Sequence, residues 1–517
     1  MQKIGSPKYQ SAYTRSRPTP LESDITTIDR QATGKTTLAF LTYQEFIKVI
    51  LLSVMFSLLL AASLDEWGVL ALLGFMGFFL PIVHFCYAGN YTMAFPLFLP
   101  IIFGFQHVVS SLYCSQHPFY LLKGDAVLRH LSDYLPIAVS AEWGMYLGVL
   151  LPLSRAKPIV TWHKEMFSTT LKKHYFVRIL VVTFWLSILI GFLGPSLSSL
   201  VRGTGFLWLL LAKVSYVSVI GLGIIGSRKY RMLLLVLAAV EIRNALDSTL
   251  FHSLIFFVVI MSCLLVFTNR RRRPLKILWL ILILSFSVYS LQCIKGDYRQ
   301  RTAATWGADS LFVQAELFVD SIFNFLTSPS DMFSERNLGF SMSRFDQGQI
   351  VNMVMDFIPN VQPYKEGETV IEALNSVVGF RAVSEEKYAA GGSNFFRFTG
   401  IPLPEETSRN LGQLGEFYGN FGPLLSVVAC FFYALFLGYL WKFFHEQSLR
   451  NPIWLAWFPF LAMQLIRTED GLGEVMNYTA KAALVAFLIV KFVPEWKNLL
   501  GFKGRILGPK RESVPSR

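Results

Sequence analysis

Charged residues are scarce in this chain: Asp, Glu, Lys and Arg make up 16% of its 517 residues, whereas hydrophobic residues make up 53%. The mean hydropathy is +0.46. A chain of this composition has too little polar surface to cover a water-soluble core of matching size. The composition therefore excludes a soluble protein and predicts an all-α polytopic membrane protein.

Sequence patterns for metal sites and disulfides are missing as well. The chain has only five cysteines, and no two of them form a CxxC pair. This spacing indicates neither a zinc site nor a disulfide framework. No Asp-x-Asp triplet occurs, so a metal-bound nucleotide-sugar site of that type is not indicated either. We expect no metal and no other cofactor.

The first forty residues lack the apolar run of a signal peptide, so we expect a cytoplasmic tail there. Apolar runs of roughly 20 residues, the length that crosses a bilayer, follow about twelve times. The ninth is expected at 275–294 and the eleventh at 453–468. The predicted parts are a tail at 1–44, nine spans within 45–294, an extracytoplasmic loop at 295–421, three spans within 422–495, and a basic cytoplasmic tail at 496–517.

The net charge of +13 is unevenly distributed. Basic residues cluster in short segments beside apolar runs, as at 270–273 and in the C-terminal tail, which is the pattern of cytoplasmic membrane flanks. Residues 295–420 instead contain 10 Lys and Arg against 16 Asp and Glu, a net charge of −6. This distribution places both termini in the cytoplasm and the loop outside, and it argues against a nucleic-acid partner.

Glu142, Glu241 and Arg243 are charged residues that interrupt apolar runs. A charge at the bilayer centre costs about 2.5–3.5 kcal/mol on insertion scales, so each should face the protein interior or a water-filled cavity. Glu241 and Arg243 are two residues apart on a helix and cannot pair with each other. Two interpretations stay open here, a structural ion pair between helices or a role at a substrate.

The long polar loop contains several short patterns. They are Arg344 at the start of its central stretch, Gly367-Glu368-Thr369, Gly379-Phe380-Arg381 with Lys387 after it, and Gly-Glu-Phe-Tyr-Gly-Asn-Phe-Gly at 415–422. Together with many spans and one large late loop, these patterns resemble the bacterial O-antigen and exopolysaccharide repeat-unit polymerases. The sequence departs from the family at Phe380 and at Tyr388, where the family has Pro.

The resemblance implies a glycosyltransferase of GT-C-like architecture in the bacterial cytoplasmic membrane, which joins oligosaccharide units carried on a polyprenyl diphosphate. The implied partners are this lipid-linked oligosaccharide, membrane lipid, a chain-length regulator and a flippase. Because guanidinium groups suit phosphate oxygens, six arginines are predicted to bind the diphosphate: Arg344, Arg381, Arg409, Arg397, Arg243 and Arg467. The candidate bases for the attacking hydroxyl are Glu416, Asp346 and Glu368.

The stretch at 415–422 carries a more detailed expectation. We expect Tyr418 to lie at the membrane surface and Asn420 to cap the span that follows. Glu416 should then point into a cavity close to the lipid diphosphate.

Three other functions stay open at this stage, one of which is a structural scaffold for an export complex. A ligase that transfers finished glycan would be expected to use a His in its periplasmic loop, but 295–421 contains none. A transporter or flippase of lipid-linked sugars would be expected to show internal repeats, and we find none in the sequence.

Overall fold

The computed structural model describes residues 43–61, 68–88, 94–117, 124–156, 170–200, 205–248, 254, 257–262, 264, 274–305, 310–328, 334–378, 392–403, 409–449, 451, 453–493 and 496. Within these residues 87% is helix and none is strand. The predicted α-helical class is therefore confirmed for the part of the chain that the structure describes.

The delimited helices are α1 Tyr43–Ala61, α2 Gly68–Ala88, α3 Phe95–Gln116, α4 Gly124–Ser154, α5 Thr170–Leu200, α6 Gly205–Ile224, α7 Lys229–Ser248, α8 Pro274–Ala304, α9 Leu311–Thr327, α10 Glu335–Phe345, α11 Gly348–Phe357, α12 Glu368–Val378, α13 Gly392–Thr399, α14 Gly412–Ser448, α15 Trp454–Ala462 and α16 Leu472–Phe492. Helices α9 to α13 belong to the predicted loop.

In the part of the chain that the structure describes, seven helices are long and apolar enough to cross a membrane, namely α2 to α6, α14 and α16. The chain is thus a polytopic membrane protein. The eleventh expected span, 453–468, contains a helix of only nine residues, α15. Such a helix is about 14 Å long, less than half of a hydrocarbon core of about 30 Å. The apolar residues of this segment are buried inside the bundle, although they do not form one full-length helix.

Helices α4 and α14 pack closely against each other within the bundle. A Cβ atom built on Gly148 would lie 2.6 Å from the backbone oxygen of Phe431, and one built on Gly438 would lie 2.8 Å from Cγ of Pro152. Small residues allow this approach of two backbones in a membrane, where dispersion contacts replace the hydrophobic effect between helices. The α4–α14 pair therefore gives the loop helices a closely packed support.

A break at Gly422 divides α14 into a short buried segment, 412–421, and a long membrane helix. Gly422 has φ of 76°, a conformation that glycine adopts easily, and Pro423 after it disfavours helical geometry at the preceding residue. The carbonyl oxygens of Gly419 and Asn420 accept hydrogen bonds from the backbone N–H groups of Lys365 and Glu366, at 3.0 and 2.9 Å. The loop thus satisfies the carbonyl groups at the end of the short segment.

This arrangement corrects two expectations for 415–422. Tyr418 is buried and its ring lies 6.0 Å from that of Tyr364, so it does not lie at an exposed membrane surface. The Asn420 amide donates to Thr369 Oγ1 and to the Glu416 carbonyl oxygen, both at 2.7 Å. It therefore connects the segment to the start of α12 and does not cap the following span.

Candidate functional site

Gln106 joins three segments at one end of the bundle. It lies in a π-helical turn of α3, Phe105–Val109, a feature that often marks functional sites. Its backbone oxygen accepts from the N–H of Gln347 at 3.0 Å, and its side-chain Nε2 donates to Glu469 Oε2 at 2.8 Å. The Thr468 hydroxyl donates to Gln106 Oε1. The loop and the turn before α16 are thereby fixed to the same membrane helix.

The turn before α16 holds a compact network of charges. Arg467 Nη2 lies 3.3 Å from Glu469 Oε1, and Arg467 Nη1 lies 3.0 Å from Asp470 Oδ2. Asn410 donates to Glu474 Oε2 at 2.8 Å. Burial raises the pKa of Asp470 to about 7, although the positive charge of Arg467 opposes this shift. The predicted phosphate ligand Arg467 is thus already paired with two carboxylates.

Three cations meet beside this turn. Lys295 and Arg299 are four residues apart on α8, and Arg344 lies on α10, which contacts α8 through Cys293 Sγ and Ser341 Oγ at 3.4 Å. Burial and the positive charges of Arg299 and Arg344 lower the pKa of Lys295 to about 8, while Glu469 acts in the opposite direction. We call Lys295, Arg299 and Arg344 the cation cluster. Their mutual repulsion is relieved when an anion binds among them.

Arg344 and Arg409 are the two predicted arginines best able to receive an anion. Among the described residues, neither has a carboxylate within salt-bridge distance. The Arg344 guanidinium lies 5.0 Å from the Phe340 ring centroid, and that of Arg409 lies 5.8 Å from the Phe395 centroid. Burial lowers the pKa of both groups, and Arg299 lowers that of Arg344 further.

Arg397 and Glu368 are brought together by the fold in another way. Arg397 Nη1 donates to both oxygens of Glu372, at 3.0 and 3.1 Å, and Nη2 contacts Glu368. One guanidinium is therefore held by two carboxylates on α12. These contacts link α12 to α13. Arg397, a predicted phosphate ligand, and Glu368, a predicted base, are therefore partners of each other in the fold.

The other two predicted arginines are Arg243 and Arg381. Arg243 is exposed on α7, with its guanidinium 4.8 Å from the Phe192 ring centroid on α5. Its neighbour Glu241 pairs with Lys213 on α6 at 2.8 Å, the structural ion pair between helices. Arg381 lies outside the described residues.

Glu142 is fully buried between α2 and α3, as expected for a charge that faces the protein interior. A Cβ atom on Gly77 would lie 2.7 Å from its carboxyl group, and one on Gly104 would collide with it. Neither carboxyl oxygen has a hydrogen-bond partner among the described residues. Two glycines thus provide the space for this side chain.

Asp346 lies two residues after Arg344 and is buried against α3. Its Oδ1 accepts hydrogen bonds from the Ser111 hydroxyl and from the N–H of Gly348, the latter at 2.9 Å. Burial raises the pKa of this carboxyl to about 7, and the hydrogen bonds from Ser111 and Gly348 limit the rise. A buried carboxyl with a pKa near neutrality can exchange a proton at physiological pH.

This shift predicts a pH dependence of stability. Between 3.8, the usual value, and about 7, the unfolded chain releases the Asp346 proton while the folded protein keeps it. The free energy of unfolding therefore falls as the pH rises through this range. We expect D346N to lose this component, because an amide side chain does not titrate in this range. The variant should still fold, since its amide oxygen can accept from Ser111 and Gly348. Thermal unfolding in detergent micelles across the range measures it.

Comparing wild type with D346N isolates the contribution of Asp346 to the pH dependence of stability. Asp470 contributes a slope of the same sign, since its pKa is also raised to about 7. Only the difference between wild type and D346N therefore reports on Asp346. Parallel pH profiles of the two proteins would contradict the assignment.

Glu416 occupies a buried position at the start of the last helix. Its Oε2 accepts from the backbone N–H of Leu472, the first residue of α16, at 2.7 Å. A carboxylate at a helix N-terminus interacts favourably with the helix dipole and satisfies a free N–H group. The structure thus gives Glu416 a structural partner, and its role as a base stays a prediction.

Histidines reach the loop from outside it. His117 Nδ1 lies 3.2 Å from Glu335 Oε1, and His130 Nε2 lies 3.3 Å from Asp356 Oδ1. Both histidines precede the loop in sequence but contact it in space. The lack of His within 295–421 therefore does not separate a polymerase from a ligase.

Sequence reasoning missed several residues of this site: Gln106, Lys295, Glu469 and Asn410. The spacing of Lys295 and Arg299 at the end of an apolar run was one available signal, since residues four apart share a helix face. The sequence Arg-Thr-Glu-Asp at 467–470, between two apolar runs, was another. The contact of Gln106 with both 347 and 469 has no local signal.

In comparisons with known proteins, no family model, no curated protein and no solved structure matched this chain.

Proposed function

We propose that this protein joins polyprenyl-diphosphate-linked oligosaccharide units at the outer face of the bacterial cytoplasmic membrane, forming a surface polysaccharide such as O-antigen, capsule or exopolysaccharide. The proposal includes about twelve spans, a GT-C-like architecture and cytoplasmic termini. Its proposed partners are the lipid-linked oligosaccharide, membrane lipid, a chain-length regulator and a flippase.

The cation cluster is the observation that carries this proposal. Lys295, Arg299 and Arg344 lie together where α8 meets the loop helix α10, and Glu469 is the carboxylate that acts on Lys295. Preorganised cations stabilise negative charge best at a site that needs no rearrangement when the charge develops. A diphosphate attached to a lipid in the membrane would bring such a charge to the end of a membrane helix.

The chemistry requires little more than this charge stabilisation. A hydroxyl of the incoming unit attacks the anomeric carbon of the growing chain, and the bond from that carbon to the diphosphate oxygen breaks. The lipid diphosphate leaves with the bonding electrons, so the cations of the cluster stabilise the departing group. The hydroxyl proton goes to a base, which typically adds about 10²–10⁴-fold to the rate.

Asp346 is the best placed of the three predicted bases. It lies two residues from Arg344, and its pKa of about 7 suits proton exchange at neutral pH. Glu368 is instead held by Arg397, and Glu416 is bonded to the start of α16. We therefore assign the proton acceptor to Asp346 and substrate binding first to Arg344.

A glycan ligase is the second candidate, since His117 and His130 contact loop carboxylates. Such an enzyme would transfer completed glycan from the same lipid carrier to another acceptor. Both reactions would use the cation cluster in the same way, so the product distinguishes them.

Glycan banding on a gel from cells with and without the gene tests the proposal. We expect the ladder of polymer lengths to collapse to single repeat units when the gene is deleted, because units can no longer be joined. Loss of surface glycan with full-length polymer still on its lipid carrier would assign the ligase reaction. An unchanged ladder would contradict both reactions.

A further inference from the structure

Helix α9 exposes a stripe of large apolar side chains. Phe312 is 87% exposed, Phe323 64%, Val319 60% and Leu326 58%. At 100° per residue, these four side chains fall within one narrow sector of the helix surface. Single exposed apolar residues are common on proteins, but four on one helix face form a patch that calls for a partner.

The rest of the helix surface divides into two further sectors. One faces the protein: Ser321 is buried, and the Phe318 ring lies 5.7 Å from the ring of Tyr298 on α8. The other is polar and exposed, with Glu316, Asp320, Asn324 and Thr327. Going around its axis, the helix thus has a protein-facing side, then an apolar side, then a polar side. A helix at a membrane boundary needs this arrangement.

The height of α9 along the bundle fits the same location. Tyr298 lies four residues beyond Ile294, where the expected apolar run of α8 ends, so it is about 6 Å further along the helix axis. The interfacial region of a bilayer extends about 5–7 Å beyond the hydrocarbon core on each side. The Tyr298 hydroxyl also donates to the carbonyl oxygen of Leu246, near the end of α7, at 3.3 Å. Helix α9 contacts both α7 and α8 at this level.

We propose that the apolar stripe of α9, Phe312, Val319, Phe323 and Leu326, inserts into the lipid surface on the loop side of the membrane. Large apolar side chains are exposed on α8 as well, among them Trp279, Ile283 and Phe286. Asp320 and Asn324 on the neighbouring sector remain in water. The inference concerns how the loop is attached to the bilayer, and it holds whether or not the protein is a polymerase.

Lipid quenching tests this inference. An environment-sensitive NBD fluorophore is attached to F323C in full-length protein, reconstituted at one copy per nanodisc, and doxyl-labelled phospholipid is the quencher. The matched control is N324C, which is exposed, lies one residue along the helix and points about 100° away. Labelled wild type measures the background from native cysteines; Cys86, Cys114 and Cys430 are buried.

We expect doxyl lipid to reduce the emission at position 323 by about half and to leave position 324 nearly unchanged. The emission maximum at 323 should also lie at shorter wavelength. V319C and D320C repeat the comparison one turn earlier. Equal quenching at 323 and 324 would overturn the inference. So would a label at 323 that is shielded from both lipid and aqueous iodide, since a protein partner or a second copy would then cover the stripe.

Discussion

Replacement of Arg344 by alanine is expected to abolish polymer formation while the protein still inserts into the membrane. Arg344 belongs to the cation cluster with Lys295 and Arg299, and its side chain is partly desolvated but still reaches solvent, so its loss removes positive charge without opening a closed cavity. Loss of one preorganised donor to a developing anion typically lowers the rate by about 10²–10³-fold. Polymer yield per amount of membrane-inserted protein measures the effect.

Two further variants sharpen this result. R344K should restore little activity, because a point charge does not reproduce the two parallel hydrogen bonds of a guanidinium group. R397A is the matched control, since this loop arginine is already held by Glu368 and Glu372; it should keep polymer formation. Full activity of R344K would argue against bidentate phosphate binding, and full activity of R344A would remove Arg344 from the site.

Replacement of Glu416 by alanine is expected to destabilise the protein by about 2–4 kcal/mol. The estimate combines the cost of leaving a buried N–H group unsatisfied, here that of Leu472, with the lost interaction of a carboxylate at a helix N-terminus. The expected result is a lower unfolding temperature in detergent and less protein in the membrane. Thermal unfolding followed by size-exclusion chromatography measures both.

The E416Q variant distinguishes a structural role of Glu416 from a role as the catalytic base. In E416Q the amide oxygen can still accept from Leu472, so the protein should accumulate nearly as wild type does. Polymer formation should also persist, because the proton acceptor is assigned to Asp346. Normal accumulation with complete loss of polymer would instead make Glu416 the base.

The membrane class of the chain could be predicted from sequence because it depends on composition and on the length of apolar runs. The short helix α15 shows what that reasoning leaves open, namely whether a predicted span is one continuous helix. Residues 453–468 are apolar enough for a span, yet the helix Trp454–Ala462 ends after nine residues and is buried by its neighbours. Hydropathy measures only the tendency to leave water, and both lipid and a protein interior satisfy it.

The candidate site depended on contacts that no local pattern records. Arg397 and Glu368 were predicted to have separate roles, but α12 and α13 bring them into one ion pair. Gln106 lies more than 200 residues before Gln347, and its neutral side chain in an apolar run gave little indication of a site. The residue types predicted the chemistry that the loop could perform. Which side chains contact one another depended on the fold.

The close approach of α4 and α14 at Gly148 and Gly438 has a consequence for how the molecule can move. The two backbones are so close that displacement by one helical residue, about 1.5 Å, would drive side chains of one helix into the main chain of the other. This pair therefore acts as a stationary frame on which 412–421 is mounted. We expect any lateral opening of the bundle to come from helices that lack such a close contact, and bulkier residues at the two glycines would deform the α4–α14 pair itself.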